Sequence, residues 1–319
     1  MTCLKPKYAY YNYANIINTK TGEIQKQKLL KFTTDIDQAK LLAPDKKYLT
    51  IPCGKCKGCL IDKANSWSVR AWLEALNYEK SAFITLTYDD KHLPENQSLV
   101  KSDVQKFIKR LRKSYDKPIR YILAGEYGDH SARAHYHMLA FNYWPDDCTF
   151  YKTGTDKDDI LFISRKLERI WGKGLCVVGK ITYESAAYVC RYTLKKIFRD
   201  KDFWKKYGRE PEFILTSRKG GIGISAFNNK EKWAEIMRNN GVWITTKKGA
   251  KLKPIPQFIK NKWLENDRAQ YQAKTEENAH ANKTLTRARL EKTDKNLFEV
   301  QQDLKNKIEK TIKRLDKRT

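Results

Sequence analysis

The chain has 319 residues, with 64 Lys and Arg against 37 Asp and Glu, a net charge of +27. No apolar run approaches the roughly 18 residues of a membrane span, and Met1 to Tyr13 lack the ~7–15-residue apolar core of an export signal, which argues against a secreted or integral membrane protein. Eight Trp and 12% aromatic residues argue against a wholly disordered chain, and the charge points to a polyanion partner, nucleic acid before an anionic membrane surface.

Residues 1–50 form a loosely patterned segment, with Tyr8, Tyr10, Tyr11 and Tyr13 near its start and a turn at Thr21-Gly22. A knuckle follows, Cys53-x2-Cys56-x2-Cys59, in which Gly54 and Gly58 ease tight turns. The spacing of Trp67, Ala71, Trp72 and Leu76 predicts a helix over 62–80, with Asp62 as its cap. Residues 83–88 read as a strand, β-branched and aromatic, ended by Asp89 and Asp90. The next helix carries a capping box, Ser102-x-x-Gln105, then Val104, Phe107, Ile108 and Leu111 on one face. Strands are predicted at 120–127 and 135–142, joined by a polar loop from Gly128 to Arg133. A short helix near 164–171, a strand over 175–182 and a helix from about 184 to 199, capped by Thr182 or Ser185, complete the pattern.

This β-α-β-β-α-β-α order predicts a ferredoxin-like α+β fold, an antiparallel sheet with helices on one face. Four regions follow from it: an N-terminal segment with the Cys cluster over 1–79, a core over 80–200, its extension over 201–263 and a tail over 264–319. The extension holds Gly220-Gly221-Ile222-Gly223, to which the sequence assigns no role. The tail has 14 Lys and Arg, 10 Asp and Glu, and no Pro, Gly or Trp. Leu297, Val300, Leu304, Ile308, Ile312 and Leu315 keep helical spacing there, so it reads as an amphipathic helix or a partly disordered tail.

Three constellations carry chemistry. In His135-Tyr136-His137 the two imidazoles share one face of a strand, where they can bind one divalent ion; the plain alternative is two satisfied or solvent-facing histidines. Glu126 becomes the third ligand if the two middle strands form a hairpin, with Asp129 and His130 as alternatives. Such a set can hold iron, but with a polyanion partner Mg2+ or Mn2+ acting on a phosphate oxygen fits better. Tyr188 and Tyr192 share a helix face, with Lys195 beyond them. A phenol with a pKa near ~10 is a poor nucleophile, and a nearby ammonium or metal favours its phenolate. The alternative is a Tyr stripe packed on the sheet. Together, the His pair and the Tyr helix equip a protein to transesterify DNA, leaving tyrosine on the 5′ phosphate and a free 3′-OH. Cys53, Cys56 and Cys59, with Cys3 as a fourth thiol, form a candidate structural zinc site, against an alternative of free thiols in a Gly-rich turn. Seven cysteines and no export signal predict reduced thiols. Arg70, Lys106, Lys109, Arg110, Arg112 and Lys113 are candidate phosphate contacts, each alternatively a solvated charge, and Arg133, Arg191 and Lys196 are candidate DNA-binding residues.

The sequence resembles the replication initiation proteins of the microviruses, most of all their gokushovirus branch, within the HUH endonucleases of rolling-circle replication. Phe83-Ile84-Thr85-Leu86-Thr87-Tyr88, continued by Asp89 to Pro94, resembles the first family motif. Gly125 to Gly128 with Arg133-Ala134-His135-Tyr136-His137 resembles the metal motif, with Ala134 in place of the expected Pro. Glu184 to Tyr192 with Lys195 resembles the two-tyrosine motif, and Ile51 to Cys59 resembles a segment typical of the gokushovirus proteins. The resemblance covers about 50–200. It implies a metal-dependent HUH nickase and strand-joining enzyme in which the two tyrosines alternate: one takes the 5′ end of the opened origin, the other cleaves the regenerated origin. The implied partners are single-stranded and origin DNA, with host DNA polymerase and helicase, in the bacterial host cytoplasm and with no membrane. The rival readings are a non-catalytic zinc-containing nucleic-acid-binding protein and a metal-dependent nuclease without a covalent intermediate.

Overall fold

The computed structural model describes residues 3–17, 24–43, 48–128, 132–154, 159–198, 204–247, 249–291, 299, 302–303, 306 and 310; the side chains of 12–17, 25–28, 192–198, 205, 282–283 and 285–291 are outside the description. The chain divides into two compact units, Met1–Lys63 with Leu290–Thr319, and Ala64–Arg289. The tail positions with helical spacing, Leu297 to Leu315, lie outside the described residues, as do Thr21-Gly22, Asp129 and His130.

In the first unit, β1 (Lys7–Ile17), β2 (Ile24–Thr33) and β3 (Tyr48–Ile51) pair antiparallel in the order β2-β1-β3. Helix α1 (Ile36–Leu42) is capped by Asp35, whose carboxylate accepts from the Asp37 and Gln38 amides. The segment expected to be loosely patterned is therefore a small sheet. Its core is Tyr10, Ala39 and Ala43 with Tyr8 and Tyr48 packed on it, and so little burial leaves a weak alternating pattern.

Helix α2 (Lys57–Ala75) begins before the expected start, so Asp62 lies inside it and caps nothing. Leu76 falls past its end, 44% exposed, and Val69, Ala71 and Leu73 are buried instead. The second unit then runs β4 (Ser81–Thr87), α3 (Lys101–Lys113), β5 (Arg120–Tyr127), β6 (Ala134–Phe141), β7 (Thr149–Thr153), β8 (Ile160–Ile163), α4 (Arg165–Trp171), β9 (Cys176–Lys180), α5 (Tyr183–Phe198) and β10 (Phe213–Thr216). It continues through α6 (Lys230–Asn239), β11 (Val242–Thr246), β12 (Gly249–Lys253) and α7 (Gln257–Asn266) to α8 (Arg268–Glu291). The fold class is α+β. The main sheet is antiparallel, ordered β10-β5-β6-β4-β9-β8-β7. The predicted strands are its four central members, to which the β7-β8 hairpin and β10 add.

Helices cover both faces of this sheet, not one. On the first face Ile84, Leu86, Leu123 and Met138 pack on Val104, Phe107 and Leu111 of α3 and Leu167 and Trp171 of α4. On the second, Ile122, Ala124, Leu139 and Phe141 pack on Ala186, Val189 and Cys190 of α5 and Ala71 of α2. The reason lies in β5 and β6, which are buried on both sides along most of their length and so need cover on both. The capping box at Ser102 and Gln105 does not cap α3. The helix starts after Val100, with no side-chain cap, and the Val100 amide donates to Tyr136 Oη at 2.8 Å. The reciprocal device occurs at α5: the Ser185 amide donates to Thr182 Oγ1 at 3.1 Å and the Thr182 amide to Ser185 Oγ at 2.9 Å.

Residues 201–263 supply β10 to the sheet edge and a third core, where Ile236, Val242, Ile244, Ile255 and Ile259 meet Val69 and Leu73 of α2. The glycine patch closes this region. Gly223 has φ +86°, and a Cβ there would lie 3.0 Å from the Arg70 carbonyl oxygen. Its amide donates to Glu74 Oε2 at 2.6 Å, a fully buried carboxylate that also accepts from Arg120 Nε at 2.5 Å and Ser225 Oγ at 3.0 Å. Arg70, expected among the phosphate contacts, is buried instead: its guanidinium sits between the Trp67 and Phe258 rings, and its Nε donates to the Ile222 carbonyl. Arg110 donates to the carbonyls of Ile170 and Trp171.

Glu74→Ala leaves a guanidinium and an amide without their carboxylate, and a broken buried pair of this kind costs about 3–5 kcal/mol. Urea unfolding followed by Trp fluorescence is expected to show a lowered midpoint for the variant; an unchanged midpoint would contradict the role given to Glu74.

Candidate active site

The alternation of β6 sends Tyr136, Met138 and Ala140 to the α3 face and His135, His137 and Leu139 to the α5 face. Glu126 stands opposite His135 in the pairing with β5, and Ala124 opposite His137. On the other side β4 sets Thr85 opposite His137 and Thr87 opposite His135. The side chains of Glu126, His135 and His137 therefore share one face, and α5 lies over that face with Tyr188.

All three groups converge on a single atom. Glu126 Oε1 is 2.7 Å from His135 Nε2 and 2.7 Å from His137 Nε2, and it accepts from Tyr188 Oη at 3.1 Å. Burial alone would push the Glu126 carboxyl up; the hydrogen bonds and charges of His135 and His137 outweigh it and hold the group down at about 2. The second oxygen, Oε2, is buried without a hydrogen-bond partner among the described residues.

The ring orientations show what this arrangement requires. His135 Nδ1 faces the Arg133 carbonyl at 3.0 Å. A carbonyl only accepts, so Nδ1 carries the hydrogen, and in a neutral ring Nε2 then presents a lone pair. That lone pair would face a carboxylate oxygen. A positive charge must sit between them, either a second proton on the ring or a cation. His137 Nδ1 lies 3.0 Å from Thr85 Oγ1, and its ring stacks on Phe83 at 5.4 Å. Fixing the far nitrogen of each imidazole is the usual support of a metal ligand. Two imidazole nitrogens and a carboxylate oxygen lie within 4.8 Å of one another, beside an unpartnered buried oxygen. The residues fit a divalent cation.

Tyr188 is half-buried, its ring edge-on to His137 at 5.1 Å, with the Arg191 guanidinium 5.9 Å from the ring centre. These residues line a cleft with Phe83, His137, Phe162 and Lys247. Tyr192, Lys195 and Lys196 lie on the α5 backbone one and two turns further along, and their side chains are outside the described residues. Arg133 is turned toward the protein: its Nη2 donates to the Tyr88 carbonyl and pairs with Asp90 Oδ1, each at 2.8 Å. The four thiols of Cys3, Cys53, Cys56 and Cys59 gather in the first unit, within 4.8 Å of one another. Thr85 and Phe83, which set the His137 ring, were not among the sequence candidates. Their only sequence signal is that they alternate in phase along β4.

A family model of the phage replication-associated protein ORF2 matches residues 81–197. The replication-associated protein ORF2 of Spiroplasma virus 4 is 36% identical over 273 residues, 81% of this chain and 79% of that protein. The replication-associated protein VP4 of Bdellovibrio phage phiMH2K is 30% identical over 283 residues, covering 84% and 81%. The chain belongs to this family of phage replication-associated proteins. The resemblance to microvirus initiators drawn from the motifs is thereby borne out. A third family member, the replication-associated protein ORF4 of Chlamydia phage 1, is 36% identical over 153 residues, 46% of this chain and 38% of its own. No solved structure matches the chain. The family match begins at the first residue of β4 and ends one residue short of the end of α5, so it takes in the His strand, Glu126 and the Tyr helix. No helix among the described residues is long and apolar enough to cross a membrane.

If the three ligands hold a cation, Mn2+ at 100 times its Kd is expected to stabilise the second unit by about 2.7 kcal/mol. Calorimetry is expected to show this as a raised Tm, lost in His135→Ala and in Glu126→Gln. Thr85→Val is expected to weaken Mn2+ binding by roughly 10–100-fold, because the His137 ring loses its orienting partner. Equal Mn2+ affinity in Thr85→Val would show that Thr85 does not set the ring.

Proposed function

We propose that this protein is a rolling-circle replication initiator: a metal-dependent HUH endonuclease that nicks single-stranded origin DNA through tyrosine and rejoins the ends into a circle. The observation that carries the reading is the Tyr188 hydroxyl, held 3.1 Å from the carboxylate on which both imidazoles converge. A nucleophile and a metal-ligand set on one sheet face are what phosphodiester transesterification needs. Strand order supports the fold side of the reading, since β9-β4-β6-β5 is the ferredoxin-like arrangement expected of an HUH core.

Glu126, His135 and His137 would hold the cation, Mg2+ or Mn2+. When bound, it neutralises charge on the scissile phosphate. The chain's own residues do the rest. Glu126 Oε1 holds the Tyr188 hydroxyl in place, and Thr85 and the Arg133 carbonyl hold the two rings. The Tyr188 Oη–phosphorus bond forms as the phosphorus–O3′ bond breaks. The phenol proton passes to water and the leaving 3′ oxygen takes one up. The phosphotyrosine bond conserves the energy of the broken linkage, so a later attack by a 3′-OH closes a circle without ATP. Tyr192, one helical turn along, serves as the second nucleophile, with Lys195 favouring the phenolate. Phe83, Phe162, Arg191 and Lys247 along the cleft offer stacking and charge to a single strand. Host polymerase would extend the 3′-OH and a host helicase unwind the duplex, in the bacterial cytoplasm.

The test is a denaturing gel of the protein incubated with Mn2+ and single-stranded origin DNA labelled at either end. A covalent adduct carrying the DNA 3′ of the nick is expected. Tyr188→Phe and Tyr192→Phe singly are expected to retain an adduct but release fewer circles, and the double variant to lose the adduct by more than about 1,000-fold. Cleavage surviving in the double variant would establish a nuclease without a covalent intermediate. Salt-sensitive binding with neither cleavage nor adduct would establish the binding-protein reading.

A further inference from the structure

We propose that Cys3, Cys53, Cys56 and Cys59 form a tetrahedral Zn2+ site that closes the small N-terminal unit. The argument starts from distance. A Zn–S bond of about 2.3 Å in tetrahedral geometry sets ligand sulfurs about 3.8 Å apart. Cys53 Sγ lies 3.9 Å from Cys59 Sγ, and Cys56 Sγ lies 3.8 Å from Cys3 Sγ. All four sulfurs fall within 4.8 Å of one another. A disulfide brings two sulfurs to about 2.05 Å and leaves no reason for two further thiols to gather at the same point. All four are free thiols.

The backbone around the cluster is arranged for charged sulfur. The Leu4 amide donates to Cys56 Sγ at 3.2 Å, the Cys53 amide to Cys3 Sγ at 3.2 Å, and the Cys56 amide to Cys53 Sγ at 3.3 Å. Gly54 makes this last contact available by turning the knuckle at φ +75°. Zinc binding to four thiols releases four protons and leaves a site of net charge −2. Lys5, Lys55 and Lys57 stand next to or two residues from the ligands in sequence and offset that charge.

The fold gives the site a reason to exist. Cys3 precedes β1, Cys53 follows β3, and Cys56 and Cys59 sit at the start of α2. β1 and β3 are neighbours, with Lys7 opposite Ile51, so the cluster lies at the end of that pairing. The core beneath the sheet is only Tyr10, Ala39 and Ala43 with two partly buried tyrosines. A unit of this size with so little apolar burial needs a staple, and a structural metal is one of the few available.

The test uses the full-length chain in a His135→Ala/His137→Ala background, so that the other donor set contributes no metal. Protein purified under reductant is expected to hold about one zinc per chain by mass spectrometry. Cobalt substitution is expected to give the sulfur-to-metal charge-transfer absorption of a tetrahedral thiolate site. Cys56→Ser and Cys3→Ser are expected to lower metal content, and Cys148→Ser, outside the cluster, to leave it unchanged. Chelation is expected to open residues 1–56 to protease while the unfolding transition of the second unit persists. The proposal is overturned if the reduced chain takes up neither zinc nor cobalt, or if Cys56→Ser keeps the charge-transfer band. If Cys56→Ser does not fold, cobalt titration of the chelated chain with intact cysteines decides in the same way: saturation near one equivalent with the band supports the site, and absence of the band overturns it.

Discussion

Glu126 stands directly across from His135 in the antiparallel pairing of β5 with β6, and the candidate site depends on that register. A slip of one residue would turn the carboxylate to the α3 face and bring Gly125 or Tyr127 opposite. The register is held by burial on both sides. Ile122 and Ala124 belong under α5, while Leu123 and Tyr127 belong under α3, so a slip would misplace every apolar side chain of β5 at once. The carboxylate adds its own demand. Burying it is costly unless it is paired, and its partners are available only in this register.

Tyr136, between the two histidines, anchors their strand from behind. Its side chain points to the opposite face, where its hydroxyl lies 2.9 Å from Tyr88 Oη and takes the Val100 amide at 2.8 Å. Tyr88 donates in turn to Asp103 Oδ2 on α3. A satisfied buried network of this kind fixes one geometry rather than adding much stability. One face of the sheet thus serves as a rigid support, and the other presents groups that a ligand can reach. The Glu74 cluster plays the matching part at the sheet edge, tying Arg120 at the start of β5 to the Gly221–Ser225 loop.

The sequence patterns that could be read locally were the ones that held. The central strands alternate or run apolar, so their existence and order were legible, and the shared face of His135 and His137 followed from period two alone. Glu126 needed one further step, the hairpin across a short polar loop. Thr85 was not legible in this way. It reaches His137 only through the β4–β6 pairing, across 52 positions of sequence, and no local pattern encodes that. Helix caps misled for a related reason. Ser102 and Gln105 have the right spacing, but tertiary contact between Val100 and Tyr136 sets the start of α3. The helices on the second face were missed because α2 and the 201–263 region were read apart from the sheet they cover.

Charge connects the site to the rest of the molecule. The chain carries a net +27, which draws in a polyanion from a distance, yet the atom at the centre of the site is a carboxylate. Its pKa, held down at about 2, keeps it ionised at any pH where the protein works. An approaching phosphate would meet like charge in a partly buried place, where the repulsion is screened far less than at the surface. Neutral imidazoles do not remove that repulsion. Two imidazoliums would, but then both Nε2 atoms carry protons and neither can act as a ligand. A divalent cation held by the same three side chains reverses the local sign, leaves the rings neutral and frees the phenol to meet the phosphorus. The electrostatics of the buried carboxylate thus favour the metal-dependent reading over a tyrosine acting alone.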